Sequence, residues 1–114
     1  METLSIKSKQ PFSLDSLQTV LSRHWHVEES TDDTLVVHGT NARAYLHPVK
    51  EFETDERFGL LVDYSDMELA KKIVEIIANN PAVTIDNDFG TILPGDEFVA
   101  RCKSEEGWDW RRRP

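Results

Sequence analysis

The chain has a single cysteine, Cys102. An intrachain disulfide is therefore impossible, and a reducing, cytoplasmic setting is the expectation. Long hydrophobic runs are also missing. The longest holds three apolar residues, where a membrane helix needs roughly 20, so no membrane association is expected. The opening "METLSIKSKQPF" lacks an apolar stretch and a small-residue cleavage site, and no secretory signal is expected from it. Positive charge is scarce: 13 Lys and Arg stand against 21 Asp and Glu, a net charge of −8. Nucleic-acid binders rely on neutralising phosphates, so DNA and RNA are not expected as partners. The chain has no phosphate loop, GxGxxG or GxSxG motif, which removes the common nucleotide-binding and hydrolase signatures. No repeat, low-complexity tract or Gly/Ser linker divides the 114 residues, so one domain over 1–114 is expected, with 107–114 as an extended tail.

What is present is a succession of short periodic segments. "TLSIK" alternates and predicts a strand. Ser13 is placed to cap a helix carrying Leu14, Leu17, Val20 and Leu21 on one face. "WHVE" alternates, and "TLVVHGTNARAYLHP" predicts a hairpin about Gly39-Thr40-Asn41. "FGLLVDY" puts Phe58, Leu60, Val62 and Tyr64 on one side. Ser65 and Glu68 have capping-box spacing ahead of a helix with a Leu69, Ile73, Ile76, Ile77 stripe, and Glu68 precedes Lys72 at ion-pair spacing. "AVTID" and "EFVARC" predict strands. The order β-α-β-β-β-β-α-β-β predicts an α+β two-layer sandwich, a mixed and mostly antiparallel sheet with both helices on one face. The strands flanking the second helix should run parallel.

Three constellations are candidates for chemistry. "TIDNDFGTILPGDEF" (84–98) carries Asp86, Asp88, Asp96 and Glu97. Counted from Asp86, a calcium loop would be matched by Asp86, Asp88 and Glu97, but glycine falls at position 90 instead of 91 and Pro94 interrupts. Asp, Asn, Gly and Pro are also the residues that turns demand, and the stretch reads as a structural loop. The histidines His24, His26, His38 and His47 have no recognised metal-ligand spacing, with or without Cys102, and read as polar strand-face residues. Asp63 and Asp66 flank a helix start, where acids are favoured by the helix dipole. No metal, cofactor or catalytic residue is assigned. Cys102 alternates with Phe98 and Ala100 and is expected to face the core as an inert thiol.

The acids are more informative. "EESTDD" supplies Glu28, Glu29, Asp32 and Asp33, and "KEFETDERF" supplies Glu51, Glu53, Asp55 and Glu56. Up-down counting puts both loops at one end of the sheet, a negative pole suited to a basic protein partner. The tail "GWDWRRRP" holds Trp108 and Trp110, side by side if extended, and the only basic run, Arg111–Arg113. The two tryptophans either pack on the domain, with the arginines meeting acidic loops, or anchor a partner. Self-pairing through a sheet edge is a further option.

In size, acidity, α+β pattern and want of a catalytic motif, the whole chain resembles the small immunity proteins of bacterial polymorphic and contact-dependent toxin systems. The resemblance implies a non-enzymatic protein that binds and blocks a toxin domain. The alternative is a small metal-dependent enzyme or metal-binding domain using the 84–98 loop or the histidines.

Overall fold

The computed structural model describes residues 1–30, 33–50 and 57–114. Its elements run β1 (Glu2–Ser8), α1 (Leu14–Leu21), β2 (His26–Glu29), β3 (Leu35–Gly39), β4 (Ala42–Lys50), β5 (Phe58–Tyr64), α2 (Met67–Ile77), β6 (Val83–Asp86), β7 (Ile92–Pro94) and α3 (Gly95–Ser104). The chain adopts the expected α+β class, with seven strands in one sheet of order β2-β3-β4-β5-β1-β6-β7. Every neighbouring pair is antiparallel, so the sheet is not mixed. β5 and β6, on either side of α2, do run in the same direction, because β1 lies between them and pairs antiparallel with both.

The two expected helices form where their apolar spacing puts them. The Ser13 side chain caps α1 by accepting from the Ser16 backbone N–H, which satisfies an otherwise unpaired helix-end donor. The cap of α2 is Asp66 and not Ser65: its carboxylate accepts from the Leu69 N–H at 3.1 Å. Ser65 instead holds the end of β4, accepting from the Arg43 N–H at 2.9 Å. Glu68 pairs with Lys71, three residues on at 3.0 Å, and not with Lys72.

A third helix replaces the expected final strand. "EFVARC" alternates, but Gly95, Phe98, Val99 and Cys102 also stand at i, i+3, i+4 and i+7, the repeat of one helix face. Phe98 and Val99 are buried on that face. Asp96 and Glu97 in the first turn and Arg101 and Lys103 in the last suit the helix dipole. Gly95 lets α3 start where it does. A Cβ there would stand 2.0 Å from the Ala78 carbonyl oxygen and 2.7 Å from that of Asn80. The close approach also lets Asp96 N–H donate to the Asn80 carbonyl at 3.2 Å.

Strand alternation then decides what is inside. Leu4 and Ile6 on β1, Leu35 and Val37 on β3, Ala44 and Leu46 on β4, Leu60 and Val62 on β5 and Ile85 on β6 are all fully buried. They share one cluster with Leu21 of α1, Ile73 and Val74 of α2 and Phe98 of α3. α1 packs on α2 and α2 on α3. The opposite sheet face carries Thr3, Ser5, Lys7, Val36, His38, Tyr45, His47, Leu61, Asp63, Thr84 and Asp86, none of them buried. No helix among the described residues is long and apolar enough to cross a membrane.

Candidate functional site

Of the eight acids expected at the negative pole, Glu28, Glu29 and Asp33 are described, and all three are exposed. Asp32, Glu51, Glu53, Asp55 and Glu56 lie outside the described residues. The strand register places the ends that lead into both acidic segments. Glu29 pairs with Leu35, Leu35 with Leu46, and Lys50 with Phe58. β2 and β4 therefore finish, and β3 and β5 begin, toward the same end of the sheet. β6 runs from the Phe58 level toward the other end, since Ser8 pairs with both Phe58 and Val83 and Ser5 with Asp86. The 87–91 turn thus points away from the acidic end.

The tail packs instead of being displayed. Trp108 and Trp110 are both 0% exposed, so neither indole is a partner anchor. Their rings meet edge to face at 5.3 Å, and both lie against Phe98. Trp110 Nε1 donates to Tyr64 Oη at 2.8 Å, and Arg101 stacks 4.0 Å above the Trp108 ring. Burial of the Tyr64 phenol raises its pKa. The segment closes by turns and not as a strand. Arg111 pairs with Asp109 at 3.1 Å and lines a recess with Met1, Glu2 and Tyr64. That contact lowers the Asp109 pKa and raises that of Arg111. Tyr64 ends β5 opposite Phe58, and Glu28 and Glu29 lie level with Asp63 and Val62 across β3 and β4, so the arginine run is separated from these acids by the intervening strands and pairs with Asp109.

The 84–98 stretch spends its side chains on its own backbone. Asp86 Oδ1 accepts from Asp88 N–H at 2.9 Å, and Asn87 Oδ1 accepts from Phe89 N–H at 2.9 Å and Thr91 N–H at 3.1 Å. Asp88 (φ 66°) and Gly90 (φ 112°) take the left-handed region that such a turn requires. Asp96 and Glu97 are exposed in the first turn of α3. No three metal-type ligands converge here among the described residues. Cys102 is half-buried on α3, and burial pushes its thiol up to about 11, well out of the nucleophilic range.

The open sheet face holds two groupings that spacing alone does not reveal. Thr34 Oγ1 lies 2.8 Å from His47 Nδ1, His47 Nε2 lies 3.1 Å from Asp63 Oδ2, and Thr3 Oγ1 donates to Asp63 Oδ1. Hydroxyl, imidazole and carboxylate in that order resemble an activated nucleophile. Thr34 is only 5% exposed, however, so a substrate has no approach to it, and the line works as a strap across β1, β5 and β4. Asp63 and Asp66 are not a carboxylate pair, since Asp66 is occupied as a helix cap. The second grouping is at the β2 edge. His26 and His38 are register partners, and Glu28 stands two residues along on the same face. Glu28 Oε1 lies 3.0 Å from His26 Nε2 and 3.6 Å from His38 Nε2. The hydrogen bond from His26, and then the charge of His38, hold the Glu28 carboxyl below its ordinary pKa.

Comparison with known proteins finds no matching family model, no similar curated protein and no similar solved structure.

Proposed function

We propose that this is a non-enzymatic binding protein that takes a basic protein partner at its acidic end. One observation carries the reading: Arg111 and Arg112 of the only basic run pair with Asp109 beside Tyr64, and not with Glu28, Glu29 or Asp33. Those three acids are therefore left uncompensated by it. With a net charge of −8, long-range attraction selects positively charged partners and accelerates their encounter. The open sheet face, with Tyr45, Leu61 and Val36 among polar groups, continues from this end and gives a partner apolar surface to bury. A buried hydroxyl and an inert thiol are poor starting points for catalysis, which favours binding over chemistry. The general likeness to toxin-neutralising immunity proteins makes a basic toxin domain the partner class, and the cytoplasm the place of encounter.

The test is affinity capture at low and high salt, followed by association kinetics with the captured partner. The on-rate is expected to fall steeply with salt, since exposed charges are screened over about 8–10 Å near physiological ionic strength. Replacing Glu28, Glu29, Asp32 and Asp33, or Glu51, Glu53, Asp55 and Glu56, with their amides should slow association more than it speeds dissociation. Association that is indifferent to salt and to both sets of changes, in variants that still melt normally, rejects the acidic end as the recognition surface.

A further inference from the structure

We propose that His26, Glu28 and His38 form a binding site for a divalent transition metal ion of the zinc class at the β2–β3 edge. The three donor atoms all lie within 4.8 Å of one another. A tetrahedral ion with bonds of about 2.0–2.1 Å sets its donors about 3.3 Å apart. The separations of 3.0 and 3.6 Å from Glu28 Oε1 to the two imidazoles bracket that value. The remaining closure is between the two Nε2 atoms. His26, at 71% exposure the most open of the three side chains, is the one with room to adjust.

The surroundings of His38 agree with this. His38 Nε2 is shielded from solvent and has no hydrogen-bond partner. Its nearest acceptor is Glu28 Oε1 at 3.6 Å, longer than a normal hydrogen bond, so this nitrogen has room for a closer partner. An ion between the three donors satisfies it.

The donor set names the class. Two imidazoles and one carboxylate suit zinc, nickel, copper or iron, whereas calcium and magnesium prefer all-oxygen shells. Three protein donors leave at least one coordination position open to water or to a ligand from a partner. The site depends on strand register and not on sequence spacing, and it stands whether or not the acidic end binds a basic protein.

The test is calorimetric titration of the untagged chain with Zn²⁺ at neutral pH, alongside imidazole-nitrogen NMR. One ion per chain is expected, with the His26 and His38 Nε2 resonances moving and those of His24 and His47 unmoved. Losing even an outer-shell partner of a metal ligand weakens binding roughly 10–100-fold. Glu28→Gln and His38→Asn should each lose at least about tenfold in affinity by that standard, while His24→Asn should bind as the parent does. Calcium and magnesium should give no heat. Glu28 lies on the surface, so E28Q reports on binding even if H38N fails to fold. Absence of zinc binding at a hundredfold excess over protein overturns the proposal, as does binding that survives in E28Q or shifts His24 or His47 instead.

Discussion

The two faces of the sheet differ in how far each is finished. On the covered face, alternate residues of five strands are fully buried against three helices, and the tail packs Trp108 and Trp110 against Phe98 of α3. The Trp110 indole there donates to Tyr64. On the open face the same strands show half-exposed Val36, Tyr45, Leu61 and a run of histidines, threonines and acids. The backbone is shared, so pleating alone separates them. The first face holds the core, and the second has surface left for recognition.

The sharpest way to break this contrast is to empty the covered face. Trp110→Ala should cost about 3–5 kcal/mol by urea denaturation, the range for truncating a fully buried aromatic residue. A loss below about 1 kcal/mol would mean that the tail only rests on the domain. Tyr64→Phe is subtler. It keeps the ring and removes the acceptor, leaving the buried Trp110 N–H unpaired at a cost of about 1–3 kcal/mol. If the variant melts like the parent, the indole is satisfied elsewhere. On the open face, Val36→Thr should stay within about 0.5 kcal/mol, as substitutions away from the core usually do. A cost as large as that of Tyr64→Phe would show that this face is covered in solution, most simply by a second copy of the chain.

The sequence declares the covered face well and the open face poorly. The periods of β1, α1 and α2 are visible because each element shows one apolar stripe. α3 is not, because Phe98, Ala100 and Cys102 alternate while Gly95, Phe98, Val99 and Cys102 also fit a helix, and a short apolar run does not separate the two. Its deciding feature is tertiary: Gly95 pressed onto the Ala78 and Asn80 carbonyls. The Asp66 cap is missed because Ser65 satisfies the same spacing rule one residue earlier. The histidine cluster is invisible for a different reason. His26 and His38 meet only once the β2–β3 register is set. The tail's arginines are visible as a run, but only the fold shows that Arg111 and Arg112 pair with Asp109.

The position of β1 also bears on how the chain reaches this structure. β2, β3 and β4 are joined in sequence order, so their pairings close over short loops. β1 lies near the middle of the sheet and pairs with β5, as in the contact of Thr3 with Asp63 across 60 residues. Loop closure costs about 0.6 kcal/mol for each doubling of the loop, and distant pairings slow folding. The β2–β4 meander therefore assembles ahead of the centre. Until β1 docks, β5 presents an unpaired edge of seven residues, apolar on one side and open to a neighbouring chain. The interval before that docking is when this protein is most exposed to misassembly.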